Sequence, residues 1–109
     1  MGVERQSDLE SRGRNAERRA VMMGVRIRRA GEPWFQSRVA DLSVTGFRLQ
    51  SFMKLSIGSE LWVMLPGFEA RRARVQWTRG HEAGCLFERA LHPAILDHIV
   101  AVDQQQSGG

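Results

Sequence analysis

The chain has 109 residues, of which 42% are hydrophobic, and carries a formal net charge of +4 at pH 7. This length fits one domain, and no apolar run approaches the roughly 20 residues that a membrane-spanning helix needs. Cys85 is the single cysteine, which excludes an internal disulfide framework and is typical of a reducing compartment. We therefore expect a cytoplasmic protein with no secretory signal and no membrane insertion.

The net charge lies entirely in the first quarter of the chain. Residues 1–29 hold eight arginines and four acidic residues, whereas residues 30–109 hold eight basic and eight acidic residues. Fifteen of the sixteen basic residues are arginine, whose planar guanidinium binds phosphate oxygens and stacks on flat rings. This composition favours a partner with phosphates or nucleobases, and it fits an arginine-rich surface without a binding role equally well.

Residues 1–11 are polar and lack apolar periodicity, so we expect a flexible tail there. Arg14 and Arg18 follow, four residues apart, in the segment 12–19. In a helix or in an extended strand, this spacing places both guanidinium groups on one side. Repulsion between the two charges favours an anionic ligand that lies against both.

Six segments have the alternation or the turn boundaries of β-strands, and we predict strands at 20–29, 34–40, 47–52, 60–65, 69–79 and 82–88. In the fifth, alternation places Ala73, Val75 and Trp77 on one face. Short strands with closely spaced turns predict a small antiparallel barrel or sandwich, and a barrel hides the strand edges. After Pro93, apolar residues at helical spacing predict a helix over 94–104, followed by a disordered tail over 105–109.

The loop between the second and third predicted strands reads Asp41-Leu42-Ser43-Val44-Thr45-Gly46. Asp41 and Ser43 offer hydrogen-bond acceptors, and Gly46 can adopt a positive φ. Loops on a rigid sheet often hold binding residues, but an Asx-turn that closes a hairpin has the same composition. Taken alone, the loop favours the ordinary turn.

Taken together, these features resemble the PilZ domain family. Its signature is an Arg-x-x-x-Arg segment before the first strand and an Asp/Asn-x-Ser-x-x-Gly loop between the second and third strands. Arg14 and Arg18 match the first element, and Asp41, Ser43 and Gly46 match the second. The resemblance implies an all-β fold over residues 12–104, a six-stranded antiparallel barrel with a C-terminal α-helix and a flexible N-terminal arm.

The resemblance also implies a bacterial receptor for the second messenger cyclic di-GMP, with this ligand and no cofactor. It implies that Arg14 and Arg18 bind phosphate and guanine edges and that Asp41 accepts hydrogen bonds from guanine N–H groups. Ser43 would bond a base or phosphate oxygen, and Gly46 would let the ligand approach. Additional candidate contacts are Arg12, Arg19 and Trp77.

The expected output is a change in the surface that the chain shows to an unidentified protein effector. Residues 12–19 would close over the 41–46 loop when ligand bridges them, in a monomer or weak dimer that binds no DNA or RNA. Two alternatives stay open on the sequence. One is a small basic barrel that binds single-stranded nucleic acid, and the other is a PilZ-like docking adaptor that binds no ligand.

No residue pattern indicates an enzyme or a metal site. His81, His92 and His98 are scattered and lack the paired spacing of metal ligands. Asp41 and Ser43 lack a nucleophile-elbow pattern. We therefore predict a protein without catalytic residues or a bound metal.

Overall fold

The computed structural model describes residues 17–108. The predicted tail over 1–11 and the candidate residues Arg12 and Arg14 lie outside the described residues. The described elements are β1 (Arg19–Arg29), β2 (Phe35–Leu42), β3 (Gly46–Gln50), β4 (Glu60–Met64), β5 (Arg71–Arg79), β6 (Glu82–Phe87) and α1 (Pro93–Gly108). The predicted all-β fold with a C-terminal helix is confirmed.

The six strands close into an antiparallel barrel in the order β1-β2-β3-β6-β5-β4. Closure is completed by β1, which pairs with β2 on one side and with β4 on the other. Each strand therefore has a neighbour on both sides, and the ladder offers no edge for pairing with another chain. The barrel also gives the outside a continuous surface on which neighbouring strands bring distant residues together.

Alternate residues of each strand fill the barrel interior. In β1 the inward residues are Val21, Met23, Val25 and Ile27, and all four are buried as the alternation predicts. Each fully buried aliphatic side chain contributes roughly 1.5–3 kcal/mol through removal of apolar surface from water. The residues that alternate with them point to the outer face of the barrel, where they are available for binding.

Three strand pairs contain a register shift, which changes which side chains face inward. In β5 the register shifts between Val75 and Trp77, so Val75 is 1% exposed whereas Trp77 is 38% exposed. The prediction that Trp77 shares the inward face of Ala73 and Val75 is wrong. A β-bulge inserts an extra residue, and one extra residue moves the next side chain to the other face of the sheet.

The strand limits also differ from prediction around the 41–46 loop. Asp41 lies on β2, paired with Ala20 on β1 and with Arg48 on β3, because the ladder continues through Leu42. The turn is therefore confined to residues 43–45. The third strand ends at Gln50, before its predicted end at residue 52, and the side chain of Phe52 is 97% exposed.

Helix α1 begins at Pro93, where proline has no amide hydrogen to leave unpaired. The Nδ1 atom of His92 accepts the Ala94 N–H at 3.0 Å and caps this end. The helix ends at Gly108, so the prediction that it stops at residue 104 is wrong. Consecutive glutamines, which favour helix, occupy residues 104–106 and extend it.

The apolar face of α1 completes the barrel core through Leu96, Ile99 and Val100. Asp103 is also buried, and its Oδ2 atom accepts the Met22 N–H at 3.3 Å, beside the bulge in β1. This bond holds the helix against the start of the first strand. Within residues 17–108, no helix combines the length and apolar content that crossing a membrane requires.

Candidate ligand-binding site

A surface cavity of about 410 Å³ opens over the ends of β2, β3, β5 and β6. Its volume lies in the range of small-molecule sites. Of the predicted site residues, the cavity is lined by Arg18, Asp41, Ser43, Gly46 and Trp77. The structure therefore brings these five together, while Arg12 and Arg14 lie outside the described residues.

Ser43 builds the turn between β2 and β3. Its Oγ atom accepts the N–H groups of Thr45 at 3.2 Å and Gly46 at 3.1 Å, and its own N–H donates to the Gly46 carbonyl at 2.8 Å. The side chain is 7% exposed. The Ser43 side chain therefore stabilises the turn that borders the cavity, and its contact with a ligand stays a prediction.

The turn is also bonded to the end of β6 and to the segment that follows it. The carbonyl of Val44 accepts the Leu91 N–H at 2.7 Å, and the carbonyl of Thr45 accepts the Phe87 N–H at 2.9 Å. These backbone bonds join residues that are more than forty positions apart in the chain. A ligand at this cavity meets a turn that is held from both sides.

Gly46 is required for packing. The sequence suggested a positive φ, but the glycines with positive φ are Gly31, Gly58, Gly67 and Gly80. A Cβ atom on Gly46 would instead lie well under 3.0 Å from the carbonyl oxygen of Cys85, on the neighbouring strand β6. Because a backbone atom cannot move aside, only glycine lets β3 and β6 approach so closely.

Asp41 reaches the cavity because of a bulge in β2. Val39 faces inward, and simple alternation would place Asp41 on the same inward face. The register shift between Val39 and Asp41 instead sets Asp41 opposite Arg48 on the outer surface. There the Arg48 Nε donates to Asp41 Oδ2 at 2.6 Å.

Arg48 is a cavity residue that the sequence did not single out. Its Nη1 atom donates to Glu82 Oε2, so one guanidinium is held between two carboxylates. The hydrogen bond to Asp41 raises the pKa of Arg48 above its ordinary value, and the group keeps its positive charge. Alternation around Phe47 and Leu49 places Arg48 outward, but Glu82 becomes its neighbour only through strand pairing.

Trp77 forms one wall of the cavity above Gly84. The two residues are paired between β5 and β6, and a Cβ atom on Gly84 would lie under 3.0 Å from three atoms of the indole. Gly84 therefore leaves the space that the indole occupies. The exposed face of this ring is a stacking surface for a flat ligand group.

The two candidate arginines that the structure describes have different surroundings. Arg18 is exposed and lines the cavity. Arg19 lies at the start of β1, where its Nη1 is 3.4 Å from Asp97 Oδ1 on α1 and its Nε is 3.9 Å from Glu17 Oε1. Arg19 is thus placed against the helix and is not among the cavity residues.

The cavity combines an acceptor, a cation and an aromatic surface. Asp41 accepts N–H groups, Arg18 offers donors and positive charge to a phosphate or a purine edge, and Trp77 offers a ring for stacking. In the part of the chain that the structure describes, no group of three or more His, Cys, Asp or Glu side chains is placed to hold a metal ion. This chemistry suits an anionic purine nucleotide.

Cys85 borders the cavity, with its side chain in the barrel core. Burial raises the pKa of its thiol from 9.0 to about 12. The side chain is buried and the thiol is free. Its thiol is neutral at physiological pH and takes no part in the cavity's charge.

Comparison with known proteins agrees with this geometry. The sequence model of the PilZ domain family matches residues 13–102, nearly the whole chain. Among solved structures, the PilZ domain of CeSA from a cellulose-synthesizing bacterium has a similar fold. The TM-score is 0.55 at 15% sequence identity, over 84% of this chain and 98% of that one. A search of the curated proteins found no match. The family match and the closed six-stranded barrel lead to one conclusion, that this chain belongs to the PilZ domain family.

Proposed function

We propose that this chain is a receptor for cyclic di-GMP and that the ligand binds in the cavity over the 43–45 turn. PilZ domains as a family bind this second messenger and are not enzymes. The observation that carries the proposal is the convergence of Arg18, Asp41 and Trp77 on one cavity. These three residues are far apart in the chain, and each offers a group that the ligand's chemistry needs.

The ligand contains two guanines and two phosphodiesters, and each kind of group has a partner at the site. The Asp41 carboxylate accepts hydrogen bonds from guanine N1–H and N2–H₂. Arg18, together with Arg14, binds phosphate oxygens or the O6/N7 edge of guanine, a bidentate contact worth roughly 1–3 kcal/mol. The Trp77 indole stacks on a purine.

Signal relay follows from where Arg18 sits in the chain. Arg18 immediately precedes Arg19, which contacts Asp97 on α1. Ligand held by Arg18 therefore bears on the start of β1, which contacts the helix through Arg19. We propose that binding changes the surface around Arg19 and α1, and that a cytoplasmic protein effector recognises the changed surface.

Isothermal titration calorimetry with cyclic di-GMP tests the binding proposal. The wild-type chain should give saturable heat at micromolar ligand. Arg14→Ala, Arg18→Ala and Asp41→Ala should each weaken binding about tenfold or more, since each removes a charge-assisted contact. Absence of saturable heat with the wild type, or unchanged affinity in all three variants, would exclude this site.

A nucleic-acid gel shift separates this proposal from binding of single-stranded nucleic acid. A cyclic di-GMP receptor should shift no single-stranded oligonucleotide at physiological salt. A salt-sensitive shift that persists in Asp41→Ala would instead support the basic-barrel alternative.

A further inference from the structure

The structure contains a charged row that the proposed ligand contacts do not explain. Arg48 is paired with Asp41 on β2 and with Gly84 on β6, and its guanidinium bonds both Asp41 and Glu82. Gln50 extends the row, with its Nε2 atom 3.5 Å from Glu82 Oε2. Arg48 and Asp41 line the cavity, whereas Glu82 stands behind Arg48, away from it.

Two anchors fix the orientation of the guanidinium. The group is planar, and its N–H donors point in fixed directions. Bonds from Nε to Asp41 and from Nη1 to Glu82 therefore set both the position and the plane of the group. Because the bond from Nε uses Oδ2 of Asp41, it fixes the carboxylate as well.

We infer that Arg48 is a positioning residue that holds the Asp41 carboxylate in the orientation that reads guanine, and that Glu82 keeps Arg48 in place. This inference rests on the proposed function, because it concerns the same ligand. A carboxylate has two oxygens with about four lone-pair sites, so the bond from Arg48 leaves acceptor capacity for guanine N–H groups.

The local charge separates this role from direct phosphate binding. One guanidinium between two carboxylates gives the cluster of Asp41, Arg48 and Glu82 a formal charge of −1. A net negative cluster attracts N–H donors and disfavours a phosphodiester. Arg48 therefore acts on the base and leaves the phosphates to the arginines of the N-terminal segment.

The test compares Arg48→Gln with the wild type, using calorimetry with cyclic di-GMP and with cyclic di-IMP. Hypoxanthine keeps N1–H but lacks the 2-amino group, so the ratio of the two affinities reports how well Asp41 reads guanine. We expect Arg48→Gln to lower cyclic di-GMP affinity about tenfold and to reduce this ratio. Because Arg48→Gln also removes one positive charge, the two affinities are compared at high ionic strength, where charge effects beyond direct contact are screened.

Three further variants complete the design. Arg48→Lys keeps the charge but not the planar fork, so it should resemble Arg48→Gln more than the wild type. Adding Arg48→Gln to Asp41→Ala should cause little further loss of affinity, because Arg48 acts through Asp41. Arg72→Gln removes an arginine that does not line the cavity and should leave affinity unchanged, and thermal unfolding checks that every variant is folded.

The possible results are distinguishable. An equal loss of affinity for the two ligands in Arg48→Gln, which leaves the guanine ratio unchanged, would indicate a direct phosphate contact, and tighter binding would show that Arg48 competes with the ligand for Asp41. Either result overturns the positioning role while the proposed function stands. A wild-type chain that binds no cyclic di-GMP overturns the proposed function and this inference together.

Discussion

Two rows of cross-strand neighbours on the barrel surface carry outward-facing arginine in different surroundings. Across β2, β3 and β6, Arg48 lies between carboxylates at the edge of the cavity. Across β1, β4 and β5, Arg28 and Arg72 flank Trp62 in the ladder. There the Arg72 guanidinium lies 4.8 Å from the Trp62 ring centroid, and that of Arg28 lies 5.2 Å from the ring of Trp34.

The difference shows that arginine content does not locate the site. On the β1–β4–β5 side, the guanidinium groups cover tryptophan rings, and such contacts stabilise the fold. On the β2–β3–β6 side, Arg48 faces Gly84 across the ladder, and Trp77 occupies the space that the glycine leaves. A binding site forms where arginine, carboxylate and glycine are cross-strand neighbours. Four changes test this contrast.

The largest expected effect is the loss of stability in Gly46→Ala. Its methyl group would collide with the Cys85 carbonyl, so the cost should reach or exceed the upper end of the roughly 1–3 kcal/mol that overpacking costs. Urea unfolding measures this change. Gly24→Ala is the matched control, because a Cβ atom on Gly24 in β1 meets nothing within 4 Å. Equal stability of the two variants would contradict the close-approach argument.

The next effect separates Trp77, which lines the cavity, from Trp62, which does not. Trp77→Ala should weaken cyclic di-GMP binding by about 1–3 kcal/mol, the contribution of one base stack, with a smaller loss of stability. Trp62→Ala should do the reverse, lowering the free energy of unfolding while leaving affinity unchanged. Calorimetry and urea unfolding on both variants measure the two quantities. Weaker ligand binding in Trp62→Ala would show that the ligand contacts the β1–β4–β5 row, and it would contradict binding in the cavity.

A third effect concerns the core directly beneath the site. Burial raises the pKa of the Cys85 thiol from 9.0 to about 12. Between these pH values the thiol ionises in the unfolded chain and stays neutral in the folded chain. Below pH 9.0 the thiol is neutral in both states and does not make the free energy of unfolding depend on pH. As the pH rises above 9.0, the free energy of unfolding falls, by about 1 kcal/mol over the first pH unit. The free energy of unfolding, measured across this pH range, should fall more steeply for the wild type than for Cys85→Ala. Parallel curves would show that the thiol does not contribute.

The smallest effect is expected for Arg72→Gln. Loss of the guanidinium over Trp62 should reduce stability by about 0.5–1 kcal/mol, as for an exposed cation–π pair. Cyclic di-GMP affinity should stay at the wild-type value, because Arg72 is not among the residues that line the cavity. Thermal unfolding and calorimetry measure these two outcomes. A clear fall in affinity would show that the Arg72–Trp62 contact influences ligand binding at the cavity.

Much of the fold could be predicted because it depends on local patterns. Alternation in β1 predicted which side chains are buried, and Pro93 marked the start of the helix. The predictions failed where one extra residue interrupts the inward–outward alternation of a strand. Bulges before Asp41 and Trp77 cannot be seen in an alternating pattern, because they are decided by pairing with β3 and β6.

Residue patterns were sufficient to predict the strands, the C-terminal helix and the two motifs that relate the chain to its family, and the family resemblance implied the closed barrel. The construction of the site depends on contacts between strands. Two bulges turn Asp41 and Trp77 outward to the same cavity, and strand pairing brings Glu82 to Arg48. The physical reason is that a strand's alternation specifies faces only while its register is regular. A one-residue shift moves a side chain to the other face, and the partner strand sets that shift.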